Sequence, residues 1–127
     1  MSDALVERGL ERERLLGLAR AYIDRLAQRM QLTAAAVVGS VARGDFNVWS
    51  DVDVVVVAEG LPERAPERGA VLARDVPGGV QPVGFTPAEF ERALHAGNPL
   101  AREAVTVGVV LLGADFLRGG AADTGPR

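Results

Sequence analysis

Residues 35–58 read AAVVGSVARGDFNVWSDVDVVVVA. Ala35–Val38 is a short apolar run with the character of a strand, and it ends at Gly39-Ser40. Val41–Arg43 reads as the first turn of a short helix that Gly44 stops. Asp45–Ser50, which contains Asn47, reads as a loop. Val52–Ala58 is a β-branched run of the kind found in buried strands. Trp49, the sole tryptophan, lies beside the loop and reads as a packing residue.

Outward from this stretch, residues from about Asp3 to Met30 predict one long helix. Leu15, Leu18, Ala19, Tyr22, Ile23, Leu26 and Met30 recur at three- and four-residue steps and make an apolar stripe. Glu and Arg fill the remaining surface, which reads as a solvated face. Arg8, Glu11 and Arg14 stand three apart, a spacing that allows weak pairing.

On the other side, Glu59–Pro62 is a turn and Pro66 to about Asp75 is a helix with proline in its first turn. Val80–Phe85 is a third strand, and Pro82 suggests a sheet edge because it cannot donate to a ladder. Thr86, Pro87 and Glu89 give a helix start with an N-cap, a proline at N1 and a carboxylate at N3; that helix runs to about Ala96. Gly97-Asn98-Pro99 breaks the chain, Leu100–Ala104 is a helical turn or two, and Val105–Leu112 is a last strand ended by Gly113. Helices alternating with short strands place the chain in the α/β (α+β) class, with a small sheet covered by helices. Residues 1–113 read as one domain and 114–127 as a flexible C-terminal tail.

Composition narrows the chemistry. The 127 residues with 48% hydrophobic content suffice for one domain with a real core, and 5% aromatic content makes that core mostly Val, Leu and Ala. A net charge of -3 argues against broad, sequence-blind nucleic-acid binding. With no cysteine there is no disulfide, thiol nucleophile or cysteine-ligated zinc. Every basic residue is arginine, so a Walker-type phosphate loop and Schiff-base chemistry lack their lysine. The single histidine, His95, cannot build a multi-histidine metal site. The longest apolar runs are too short to span a bilayer, no signal peptide is visible, and a cytoplasmic protein without a membrane is expected.

Asp51 and Asp53 carry the chemistry. Two residues apart in a strand, they share a face with Cα atoms roughly 6.5–7 Å apart. Unpaired carboxylates at the head of an apolar strand are unfavourable, and a divalent cation between them relieves this. Magnesium takes a few carboxylate oxygens together with waters and phosphates, and a pair at this spacing can hold one or two such ions. Gly39-Ser40 joins a strand directly to a helix. Gly lets the backbone approach a ligand, the exposed N–H groups suit a phosphate, and the Ser40 hydroxyl can bond a terminal oxygen. Arg43, one turn on, can add charge-assisted bonds to the same anion or pair with Asp45 or Asp51. A phosphate cradle beside a metal-binding carboxylate pair is what nucleotidyl transfer needs.

The run Gly39-Ser40-Val41-Ala42-Arg43-Gly44 followed by Ser50-Asp51-Val52-Asp53 resembles the signature of the polymerase-beta-type nucleotidyltransferase superfamily. Within it the chain is most similar to the smallest branch, the minimal nucleotidyltransferases (MNT) of bacteria and archaea, from about Ala35 to Gly113. The resemblance implies a nucleotidyltransferase fold with a small mixed β-sheet flanked by helices. It implies magnesium-dependent transfer of a nucleoside monophosphate, AMP from ATP or another NTP. Asp51 and Asp53 take the catalytic and metal-ligand roles of a two-metal site, and Gly39, Ser40, Arg43 and Ser50 the nucleotide-binding ones. The usual partner in this branch is a helical HEPN protein, with which the MNT member forms a toxin–antitoxin pair as the antitoxin, in places by adenylylating the toxin; a hetero-oligomer is therefore expected.

The sequence departs from this pattern at one position. The family carries a third carboxylate on a later strand, where it serves as general base and metal ligand. The equivalent strand here is Val80-Gln81-Pro82-Val83, and Gln81 holds the corresponding position. An amide takes no proton and ligates magnesium poorly. Two readings follow: a nucleotidyltransferase, or an antitoxin that binds nucleotide with little catalysis and neutralises its HEPN partner by contact.

Overall fold

Ala34–Val38 is apolar at all five positions, which suits a strand flanked on both edges and covered on both faces. The computed structural model, which describes residues 3–47 and 49–123, places it there as β1. β1 lies inside a four-stranded sheet of order β3-β2-β1-β4, with β2 at Val52–Val57, β3 at Val80–Phe85 and β4 at Val109–Leu112. β1 is antiparallel to β2 and β4, and β2 is parallel to β3, so the sheet is mixed. β3 pairs with β2 alone, and Pro82 thus sits on the edge its missing N–H requires.

The alternation of side chains sends each strand to two cores. Ala35, Val37, Val52, Val54 and Val56 pack with Leu15, Leu16, Ala19, Tyr22, Ile23 and Leu26 of α1 (Asp3–Arg29). Ala34, Ala36, Val38, Val55 and Val57 face the opposite layer. That layer holds Phe90 and Leu94 of α4 (Pro87–His95), Ala101 and Ala104 of α5 (Pro99–Val105), and Leu117 of α6 (Ala114–Asp123). Each fully buried Val or Leu contributes roughly 1.5–3 kcal/mol. β2 is therefore held by its valines and tolerates polar residues at its head.

Two short helices complete the order, α2 at Gly39–Arg43 and α3 at Ala65–Ala73. Tyr22 ties α1 to α3 by donating its hydroxyl to the Leu72 carbonyl at 2.6 Å. Burial pushes its phenol up to about 12, which keeps it a neutral donor. Among the described residues no helix is long and apolar enough to cross a membrane.

The structure revises three expectations. Val105 closes α5, and the last strand begins only at Val109, because the Glu103 carbonyl accepts both the Thr106 and Gly108 N–H groups and wraps residues 106–108 into a turn. The segment from 114, expected as a flexible tail, is helical through Asp123: Leu117 is buried, and the Phe116 ring lies 5.8 Å from that of Phe90. Residues 124–127 of that tail lie outside the described residues. The charged face of α1 is also not wholly solvated. Arg12 donates to the Val41 and Ala42 carbonyls at 2.9 and 3.0 Å, and Arg8 to those of Gly44 and Phe46. The Arg8 guanidinium lies 4.4 Å from the Phe46 ring centroid. Arg12 thus satisfies carbonyls that α2 leaves unpaired at its end, and Arg8 holds the loop that follows.

The start of α4 forms the predicted capping box, with Thr86 Oγ1 accepting from the Glu89 N–H and Glu89 Oε1 from the Thr86 N–H. Arg68 reaches the same carboxylate at 2.7 Å. The Arg68 guanidinium first, then the Thr86 N–H, lower the Glu89 carboxyl from 4.5 to about 2. The folded state therefore favours ionised Glu89. This contribution is complete above the unfolded value and is lost as pH falls from about 4.5 towards 2. Glu89→Gln is expected to lower stability at neutral pH by about 1–2 kcal/mol, a figure reduced for solvent screening of a surface pair. Melting curves of variant and wild type should converge across that pH window, and a gap that persists unchanged at pH 2 would refute the assignment.

Candidate active site

Gly39 follows the last residue of β1 and adopts φ +74°, in the left-handed region. Val38 pairs with Asp53 across the β1–β2 ladder, so the turn into α2 passes directly over that carboxylate. A Cβ at Gly39 would lie 2.5 Å from Asp53 Oδ2, which only a residue without a side chain avoids. Asp51 is exposed, whereas Asp53 is half-buried on the face that carries Val55 and Val57. Burial first, then the charges of Asp51 and Glu103, hold the Asp53 carboxyl above its usual range, against the opposing pull of Arg43. The head of β2 is thus a place where added positive charge is favoured.

Gln81 is the register partner of Asp53 in the parallel β2–β3 pair and is exposed. Partners in such a ladder share a face, so the amide stands beside Asp53, while Asp51 lies just before β2 and outside the ladder. Among the described residues no group of three or more His, Cys, Asp or Glu side chains is placed to hold a metal ion. Asp75 supplies no third carboxylate: it lies in a left-handed turn and pairs with Arg29 at 3.5 Å.

The structure brings in a residue that sequence reasoning missed. Glu103, on α5, accepts the Gly39 N–H at 2.7 Å. Its two carboxylate oxygens lie 3.1 and 3.0 Å from Arg43 Nη1. Arg43 also pairs with Asp45 at 3.3 Å, one of the partners its position suggested, but not with Asp51. Glu103 is 64 residues from Gly39. In sequence it is one charge in a short helical turn, and no local signal marks it.

Ser40 lies in α2, and its carbonyl accepts the Gly44 and Asp45 N–H groups, which fixes the turn's exit. Ser50 Oγ accepts the Asn47 N–H at 2.9 Å, and Asn47 Oδ1 accepts the Trp49 N–H. The Ser50 oxygen therefore shapes the loop before Asp51, and its O–H stays available as a donor. Trp49 does not pack as expected: it is 89% exposed, beside Ser50 and Asp51.

The Gly39 turn thus closes over the Asp53 carboxylate at the head of β2. The nucleotidyltransferase domain family matches residues 19–100 of the chain, a span that contains all of these positions except Glu103. The chain belongs to this family. The chain is 34% identical over 98 residues to the nicotinate-nucleotide–dimethylbenzimidazole phosphoribosyltransferase of Thermus thermophilus. That match takes in 74% of this chain and 29% of the Thermus protein, so the chain spans under a third of that protein's length. Among solved structures, a Sulfolobus solfataricus protein provisionally assigned as a nucleotidyltransferase superposes with a TM-score of 0.63, 24% identity and 87% coverage of both chains. A toxin–antitoxin structure with AMP-PNP superposes with a TM-score of 0.56, 20% identity and 83% and 82% coverage. The mixed sheet flanked by helices is the nucleotidyltransferase fold. The family's general reaction is nucleotidyl transfer, and its members generally use a nucleoside triphosphate with a divalent metal.

Proposed function

We propose that this nucleotidyltransferase transfers AMP from ATP, with magnesium, to an acceptor on a helical HEPN-type toxin, and acts as the antitoxin of the pair. The observation that supports the reading is the closure of the Gly39 turn onto Asp53, beside which Asp51 stands one residue before β2. In this reading Gly39, Ser40 and Arg43 bind the phosphates and orient the reacting phosphorus, with Ser50 as a further donor. Asp51 and Asp53 would hold magnesium. The donor set fits, since exposed Asp51 and half-buried Asp53 leave room for the waters and phosphates that magnesium retains. The metal would supply neutralisation of phosphate charge and activation of an attacking hydroxyl. Leu5, Val6 and Leu10, exposed on the first turns of α1, provide apolar surface for a protein partner.

Gln81 beside Asp53 favours a second reading at the same site: nucleotide is bound, transfer is weak, and the partner is neutralised by contact. Both readings require ATP binding. Calorimetry with ATP, with and without magnesium, tests them together, and binding that appears only with magnesium is the expected result. No binding, alone or with a co-purified partner, would sink both. Transfer of labelled AMP to the partner then separates the first reading from the second.

A further inference from the structure

We infer that Glu103 is a built-in competitor for the phosphate-binding donors, one that an arriving nucleotide must displace. The inference rests on the reading of Gly39 and Arg43 as nucleotide-binding residues. In the structure both are engaged by the same carboxylate. The Gly39 N–H points to Glu103 Oε1 at 2.7 Å, and Arg43 Nη1 lies 3.1 and 3.0 Å from its two oxygens. A carboxylate that accepts a backbone N–H and a guanidinium together uses the donors that one phosphate oxygen pair would use.

The fold delivers Glu103 to this position. Its carbonyl accepts the Thr106 and Gly108 N–H groups at 3.2 and 2.7 Å, which anchors the end of α5. A Cβ at Gly108 would lie 2.9 Å from that carbonyl and 3.1 Å from the Val37 carbonyl, so α5 sits tightly on β1. The side chain itself is 23% exposed and reaches the site at the solvent boundary, where rotation clears the two donors. Its charge also repels Asp53, so its departure removes one of the anions crowding the head of β2. Binding then exchanges one anion for another at Gly39 and Arg43. Apparent affinity is lowered by the fraction of molecules in which Glu103 occupies the donors. Ligands with several linked phosphates overcome this competition, and a monophosphate does so poorly.

Calorimetry on the full chain tests the role, with Mg-ATP and Mg-tripolyphosphate as probes. Glu103→Gln keeps the size of the side chain and an acceptor for the Gly39 N–H, and removes the charge that holds Arg43. Both probes are expected to bind roughly tenfold tighter to Glu103→Gln, the worth of about one charge-assisted hydrogen bond. Glu103→Ala should gain at least as much, with melting temperatures confirming that both variants fold. Unchanged or weaker binding in both variants, where wild type binds, overturns the competitor role and leaves the nucleotide site standing. Failure of wild type and both variants to bind either probe, alone and with a co-purified partner, overturns the nucleotide reading and this inference with it.

Discussion

Asp51→Asn/Asp53→Asn is expected to weaken magnesium-dependent ATP binding by roughly a hundredfold or more and to abolish transfer, since it removes both carboxylates assigned to the metal. The isosteric amides preserve shape and hydrogen-bonding capacity but not the negative charge a hard cation needs. Misfolding does not explain such a loss. At neutral pH the folded state disfavours ionised Asp53, through burial and the charges of Asp51 and Glu103. The neutral variant should therefore melt no lower than wild type in the absence of metal. Calorimetry and thermal melting on the same samples check both halves. Retained magnesium-dependent binding in a well-folded double variant would remove these residues from the metal-binding role.

Gln81→Asp is expected to raise the rate of AMP transfer by about a hundredfold, the lower end of what a positioned general base contributes. The position is favourable because Gln81 is already in register with Asp53 and exposed, so the new carboxylate stands beside the pair without being buried. ATP affinity should change far less than the rate, because the phosphate donors lie on the other side of Asp53, at Gly39 and Arg43. Single-turnover transfer to the partner protein, with binding measured in parallel, reads the two quantities separately. An unchanged rate would mean that chemistry does not wait on a third carboxylate at this position. A gain of that size would mean that the missing general base limits the rate at which the native chain transfers AMP.

Much of this protein is written locally. The β-branched run Val52–Val57 makes a strand wherever it is covered. The stripe from Leu15 to Leu26 makes one buried face of a helix, and Thr86, Pro87 and Glu89 start another through bonds confined to four residues. Pro82 predicts its own edge position through the N–H it lacks. The approach of the Gly39 turn to Asp53 at the head of β2 is also legible, because one short loop joins the two strands; Asp51 lies just before β2, outside the ladder.

What was not legible depends on which elements the fold stacks together. Val105 and Val107 are β-prone and lengthen the last strand in sequence, whereas the Glu103 carbonyl curls the chain behind α5. The segment from Ala114 reads as a tail in sequence because its small residues carry little pattern of their own; Leu117 becomes buried and Phe116 partly buried only once α4 and α5 supply the surface. Arg8 and Arg12 read as solvated in sequence because their partners are carbonyls of α2 and the loop beyond, 29 to 38 residues away.

The sequence by itself determined the class of the fold and the approach of the Gly39 turn to Asp53, because each arises from strand patterning or a short connection. Only the tertiary structure decided what occupies the turn's donors. The charge that meets Gly39 and Arg43 comes from a helix 64 residues distant, and no local propensity encodes a contact made by packing two layers against one sheet.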